Sequence, residues 1–380
     1  VFAHEEDVAY EFTRQAEGVY TSHIAGDNRE PGDTTLTIVV QAARVSEVRT
    51  IASGDRIPTE RRLDNKKHDW IRSHSPVGAM TTGEDGQPVG GVIDRHALDR
   101  YLLRLNRHPG RQVDVALGPA LDSGGAVLEY HIAERKPWTA YAQVSNTGTE
   151  ETSEWRERFG FVHQQLTNRD DILGIEYVTA GFDESHALSA SYDTPINDAR
   201  NLRARIYGSY SEFSASEVAA NLDFSGDSWT VGGELSLNIY QRGPLFVDLF
   251  AGARYFDTEI TNRSTQPPTE GQEEFFIVRG GVRAERNTRD TSLGAELAID
   301  ASFPDVTGAP DTISELGRLN ADGEWQVLQG EIEVSAYLEP LLNPRRAKTL
   351  AHEIALRGRV QHSLDDRLIP QVEQIAGGLY

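Results

Sequence analysis

ERKPWTAYAQVSNTGTEETSEWRERFGFVHQQLTNRDDILGIEY, residues 134–177, separates two kinds of sequence. Ahead of it, short apolar runs alternate with helical patterns. Behind it, one stretch of period-two alternation follows another. Lys136-Pro137-Trp138 is the turning point. Proline brings no N–H to a ladder and so closes the strand before it, and a new alternating stretch begins at Trp138.

Working downstream, Leu245, Val247, Leu249, Ala251, Ala253 and Tyr255 fall on one face of a strand, with Phe246, Asp248, Phe250, Gly252, Arg254 and Phe256 on the other. Leu293 to Phe303, Leu328 to Leu338 and Leu350 to Gln361 repeat the pattern, apolar on one face, glycine and charges of both signs on the other. About eleven such strands are predicted, near 138–146, 154–166, 170–180, 186–194, 201–211, 228–241, 244–258, 273–286, 290–303, 324–339 and 349–362. Their connections alternate between turns (167–169, 195–199, 241–243, 287–289, and a longer one at Asn343-Pro344-Arg345) and long loops (212–227, 259–272, 304–323). Short turns at one end and long loops at the other mark a transmembrane β-barrel. A soluble sandwich or lipocalin-like barrel alternates too. Strands well beyond the usual length of about 5–6 residues, and glycines set among charges, favour the membrane barrel.

The chain has 380 residues and a formal net charge of -22, from 59 acidic and 37 basic side chains. Nucleic-acid binding needs a basic face, and this balance argues against it. No run of about 18 apolar residues is present, and a barrel leaves none, since alternate residues face lipid. With no cysteine, disulfides, thiolate metal sites and cysteine nucleophiles are excluded. Neither a signal peptide nor an initiator methionine precedes Val1, so the sequence reads as part of a longer chain.

Upstream, Glu5–Gly18 carries Val8, Phe12 and Ala16 at a helical interval and reads as a helix. Residues 20–24, 35–40 and 45–51 read as strands, with a turn over 27–33. Residues 55–93 form a polar insert with a short helix near 64–71. Ile93–Asn106 reads as a helix capped by Asp94, with Ala97, Tyr101, Leu102 and Leu105 as its apolar face, ended by His108-Pro109-Gly110. Residues 113–117 and 126–133 read as strands about a turn at 122–125. The second set is a complete small α+β unit, and the first reads as the tail of a like unit, which suggests a tandem array.

Residues 44–135 resemble the second POTRA domain of the TpsB transporters of two-partner secretion, the haemolysin secretion/activation proteins, most of all in the stretch LLRLNRHPGRQVDVALGPALDSGGAVLEYHIAERKPW (102–138). VSNTG (144–148), Arg156 and Arg158, QLTNRDDILGIEY with Asp170, Asp171 and Tyr177, and SASYDTPI with Tyr192 and Pro195 resemble the start of that family's barrel, and EQIAGGLY (373–380) resembles the stretch that leads into its Arg-Gly-Tyr loop. The resemblance implies α+β POTRA modules followed by a transmembrane antiparallel β-barrel, with about eleven strands here of about sixteen in all. Its implied domains are 1–43, the C-terminal part of a first POTRA-like domain; 44–135, a second; and 136–380, the N-terminal part of an outer-membrane barrel. The implied function is secretion, and possible activation, of a partner exoprotein such as a haemolysin or adhesin. The alternatives are a POTRA-barrel machine that assembles other outer-membrane proteins, and a structural or porin-like barrel. The implied location is the outer membrane, with the POTRA domains in the periplasm.

No catalytic, metal or cofactor constellation is visible, and neither an enzyme nor a nucleotide is expected. His68, His74, His96 and His108 read as solvated surface residues. Asp170 and Asp171 are adjacent and read as a turn with a charged partner. The expected partners are an exoprotein client and outer-membrane lipid. The expected client site is a strand edge at Val113, Val115 and Leu117, where main-chain pairing tolerates many side chains. The expected lumen face comprises Arg203, Arg205, Asp248, Arg254, Arg279, Arg283, Glu296, Asp300, Glu331, Glu333, Glu353, Arg357 and Arg359, for the most part as mutual ion pairs. Client folding outside the cell is expected to drive export.

Overall fold

The computed structural model describes the chain apart from residues 1, 6–7, 15–19, 28–37, 42–43, 121–124, 148–152, 183–184, 216–223, 263–267, 343–349, 365 and 374–380. The expected turns over 27–33 and 122–125, Gly148, the Asn343-Pro344-Arg345 connection and nearly all of EQIAGGLY fall wholly or partly outside the described residues. The chain divides into one unit of Val1–Leu105 with Arg111–Ala133 and a second of Asn106–Gly110 with Glu134–Tyr380.

The first unit opens with β1 (Phe2–Glu5), β2 (Val8–Arg14), β3 (Tyr20–Asp27) and β4 (Ile38–Gln41), β1 pairing with β4 and β2 with β3. Where the helix over Glu5–Gly18 was expected, Val8–Arg14 is a strand, and residues 6–7 and 15–18 lie outside the described residues. An i, i+4 apolar interval is two full pleats as well as one helical turn, and Val8, Tyr10, Phe12 and Thr13 favour the extended state. Next come β5 (Val45–Gly54), α1 (Asp69–Ser73), β6 (Thr81–Thr82), β7 (Pro88–Val89), α2 (Arg95–Asn106), β8 (Arg111–Pro119) and β9 (Ala126–Glu134).

Asp94 caps α2, its carboxylate accepting from the backbone N–H groups of His96 (2.8 Å) and Ala97 (3.1 Å). Those bonds hold its carboxyl below the usual range. The buried face of α2 is Leu98, Tyr101 and Leu105, so Leu98 displaces Ala97 from the expected set. It packs with Val113 of β8 and with Leu128, Tyr130 and Ile132 of β9 into one core. Sheet order is β5-β9-β8, which leaves β5 and β8 at the edges. The polar insert covers the β5 edge. The N–H of Ala52 donates to Arg62 (2.8 Å), that of Asp64 to Thr50 (2.9 Å) and that of Val45 to Gly91 (2.7 Å).

In the second unit, eleven strands form one sheet: β10 (Trp138–Ser145), β11 (Arg156–Gln164), β12 (Ile172–Ala180), β13 (Ser185–Pro195), β14 (Leu202–Ala215), β15 (Phe224–Arg242), β16 (Leu245–Asn262), β17 (Thr269–Asn287), β18 (Thr291–Ser302), β21 (Gln326–Tyr337) and β22 (Glu353–Ser363). Each pairs antiparallel with the next along the chain. Between β18 and β21 lie α3 (Pro304–Thr307) and a small hairpin of β19 (Thr312–Ile313) and β20 (Ala321–Asp322). After β21 comes α4 (Leu338–Leu342). β15 and β17 reach 19 residues, so strand takes over both ends of the expected long loops at 212–227 and 259–272, while residues 216–223 and 263–267 lie outside the described residues. Among the described residues no helix is long and apolar enough to cross a membrane.

Candidate functional site

Because side chains alternate across a strand, the register of the eleven strands sorts every residue to one of two faces. Arg205 lies opposite Glu234, Glu234 opposite Gly252, and Gly252 opposite Arg279. Arg279 lies opposite Asp300, and Arg283 opposite both Asp248 and Glu296. Glu296 continues to Glu331, Glu331 to Arg359, Glu333 to Arg357 and Tyr337 to Glu353. Arg203 joins through Ser236 and Arg254 through Gly232. All thirteen charged residues named from the sequence thus share one face.

Most of them meet there as ion pairs. Arg254 donates to Asp300 at 2.8 Å across the intervening strand β17. Arg279 reaches Glu296 at 2.5 Å, and its Nε lies 3.7 Å from Asp300. Arg283 pairs with Glu296 at 2.7 Å and with Glu234 at 3.4 Å, its guanidinium 4.6 Å from the ring centre of Phe250. Arg357 and Arg359 share Glu331, at 2.5 Å and 3.2 Å. Arg203 pairs with Asp193 through its Nε at 2.6 Å. Asp248 accepts from Asn238 at 2.7 Å and pairs with Arg107 of the loop Asn106–Gly110, which also pairs with Glu285. Arg205 lies over the ring of Tyr207. Glu333 and Glu353 are exposed, and the described contacts do not draw them into the network. Glu234, Glu285 and Arg107 belong to it and were not singled out from the sequence. Strand parity alone would have found the two glutamates.

Glycines seat the large rings of this face. A Cβ at Gly160 would lie 2.2 Å from Tyr141, one at Gly232 2.7 Å from Tyr207, and one at Gly281 2.7 Å from Phe250. In each case the ring belongs to the residue directly opposite on the next strand.

The other face is apolar and uncovered. Ile206 is 64% exposed and Leu356 69%, and Val231, Leu235, Leu249, Val282, Leu297, Ile299, Ile332 and Val360 are exposed with them. An uncovered apolar face of this extent is an interaction surface.

Asp170 and Asp171 sit in the β11–β12 turn. Asp170 pairs with Arg200 of the β13–β14 turn at 2.7 Å, and its carbonyl accepts from Arg203 at 2.8 Å. Asp171 accepts from the Thr167 N–H and hydroxyl (3.0 and 2.8 Å) and from the Arg169 N–H (3.3 Å). Burial pushes the Asp171 carboxyl up, and these bonds together outweigh it, so it titrates below the usual range. The turn reading therefore holds. That of the histidines needs correction. His68 and His108 are buried and His74 stacks on Trp70, while His96 is exposed. A polar neighbourhood in sequence does not keep an imidazole wet when its ring can fill a gap beside a core. Among the described residues no group of three metal-ligating side chains occurs.

In the first unit, β8 carries Val113, Val115 and Leu117. Val113 is buried in the core, Val115 packs against it and Leu117 is 58% exposed. What this edge strand presents sideways is main chain.

Residues 124–253 match the model of the haemolysin secretion/activation protein family ShlB/FhaC/HecB. No curated protein matches the chain. Among solved structures, CdiB from Escherichia coli matches with a TM-score of 0.56 at 12% identity over 96% of this chain, and CdiB from Acinetobacter baumannii with 0.51 at 14% over 87%. The chain spans 59% and 54% of their respective lengths. The structural likeness is one of fold. Together with the family match, it supports the resemblance to TpsB-type transporters read from the sequence.

Proposed function

We propose that this chain is part of an outer-membrane polypeptide transporter that secretes a partner exoprotein. One observation carries the reading: the sheet is apolar where it is exposed and charged where its side chains pair. A water-soluble sheet does the reverse. Lipid satisfies such an apolar face, and a barrel is the form in which strands cross a bilayer with their polar groups paired.

On this reading residues 136–380 are the N-terminal part of the barrel, residues 1–43 the C-terminal part of a first POTRA-like domain and residues 44–135 a second, both in the periplasm. The thirteen charged residues line a wet lumen. Each closed ion pair is a charge that a passing chain does not grip. The β8 edge at Val113, Val115 and Leu117 receives an extended client by main-chain hydrogen bonds. Its side chains contribute little selectivity, since Val113 is already committed to the core. The family match over residues 124–253 supports secretion over simple diffusion.

The test is deletion of the gene in its native host. A large polypeptide is expected to vanish from the medium while the outer-membrane protein profile stays unchanged. Loss of other barrel proteins from the membrane would instead favour the assembly reading, and no change in either would refute both.

A further inference from the structure

At the end of the sheet where β18 and β22 finish and β17 and β21 begin, the charged face turns apolar. Phe275 and Ile277 of β17 and Val327 of β21 share the face of Arg279 and Glu331, yet all three are buried. Their cover is the β18–β21 connection, through Ile313, Leu316, Ala321 and Trp325, together with Leu368 and Ile369 of the chain that leaves β22.

The connection is closely seated. A Cβ at Gly271 would lie 2.3 Å from the Glu315 carbonyl oxygen, and one at Gly323 2.1 Å from that of Pro310. Gly317 has a φ of +86° and turns toward Pro370. The chain after β22 is held mainly by this connection. The Asp322 N–H donates to the Arg367 carbonyl at 2.8 Å, and the Arg367 N–H to the Asp322 carboxylate at 2.6 Å. Arg318 donates to the Leu368 carbonyl at 2.7 Å and grips both oxygens of Glu373, at 2.5 and 2.6 Å. Gln371 donates to the Leu316 carbonyl at 3.3 Å.

We infer that residues 311–323 form a clamp that anchors the chain leaving β22 over the charged face, with Arg318 as the positioning residue, and that this anchor stays closed while the face is in use. A swinging lid needs few contacts and a hinge. Here the contacts are a sealed apolar core, backbone hydrogen bonds and a two-toothed arginine–carboxylate pair, set in backbone too close for any residue but glycine. The inference rests on the transport reading above only for the meaning of "in use"; the clamp itself stands on the contacts.

Residues 1–380 hold no cysteine, so once any cysteine elsewhere in the full natural protein is replaced by serine, single thiols report cleanly. In detergent, Ile369→Cys is expected to react with a maleimide many-fold more slowly than Leu319→Cys, since Ile369 is 0% and Leu319 68% exposed. Arg318→Glu added to Ile369→Cys is expected to speed labelling several-fold, and Arg318→Glu with Glu373→Arg to restore most of the protection. Equal labelling at both sites, or no effect of Arg318→Glu, would overturn the clamp.

Asp322→Cys with Arg367→Cys joins two backbones already in hydrogen-bond contact, within reach of a disulfide. In planar bilayers of phosphatidylethanolamine and phosphatidylglycerol, its potassium chloride current is expected to be the same oxidised and reduced. A current abolished by oxidation and restored by reduction would show a moving gate and overturn the anchor. A cysteine-free parent with no current counts against the passage itself, and the labelling experiment then decides the clamp.

Discussion

The Arg254–Asp300 pair offers a quantitative test of the charged face. Asp300 is 0% exposed and accepts from Arg254 at 2.8 Å, while Arg279 stands farther off at 3.7 Å and is already bonded to Glu296. Asp300→Asn removes the charge at nearly constant volume. A hydrogen bond to a charged group contributes about 1.5–3 kcal/mol. Breaking a fully buried pair costs about 3–5 kcal/mol, but the Arg254 side chain is one-fifth exposed and keeps part of its hydration. A loss of about 2 kcal/mol is therefore expected, roughly thirtyfold in the folded-to-unfolded ratio. Urea unfolding in detergent micelles, followed by the fluorescence of the five tryptophans, reads it. A double-mutant cycle with Arg254→Gln should return most of that energy as coupling, and a second cycle with Arg279→Gln clearly less. A 254–300 coupling below about 0.5 kcal/mol, or one smaller than the 279–300 coupling, would refute the claim that these contacts hold the face together.

Gly281→Ala should cost about 1–3 kcal/mol in the same assay, because its Cβ would meet the Leu297 carbonyl at 2.3 Å, whereas Gly294→Ala, with nothing within 4 Å, should be nearly neutral. Leu105→Ala should destabilise the first unit by about 2–5 kcal/mol, seen by circular dichroism, since Leu105 lies in the middle of its core. The Asp171 carboxyl is lowered in the folded state, so its contribution is present above the unfolded value of about 3.9 and disappears as pH falls through the lower folded value. The stability advantage over Asp171→Asn should thus be constant from neutral pH to about pH 5 and shrink only below about pH 4. An advantage that faded near neutrality would contradict it.

Much of the second unit was legible because its code is binary. A period of two fixes which residues share a face, and Leu245 through Tyr255 announce it without knowledge of any partner strand. The helix Arg95–Asn106 was legible for a local reason too, since Asp94 and the apolar stripe lie within a few turns of each other. What escaped depended on distant partners. The interval from Val8 to Phe12 satisfies a helix and a strand equally, and pairing of Val8–Arg14 with Tyr20–Asp27 decides for the strand. The cover over Phe275 and Val327 was hidden because the residues that bury them come from a loop and from beyond β22. Arg107 was hidden because its acids lie 141 and 178 residues away.

The charged face also explains why so acidic a chain can build a stable sheet. Excess negative charge lowers stability through self-repulsion unless local pairs offset it. Arg254, Arg279, Arg283, Arg357 and Arg359 each meet a carboxylate, and Glu296 and Glu331 each hold two of these arginines. Several pairs reach across more than one strand boundary, as Arg254 does to Asp300 and Arg283 to Glu234. They therefore tie together strands that share no ladder. The exposed apolar face can contribute little to stability in water, so it is the charged face and its glycine-seated rings that specify register. A one-residue slip would move every arginine to the apolar face. On the transport reading the same arrangement serves both ends: the pairs that fix the sheet are the charges withheld from the passing chain.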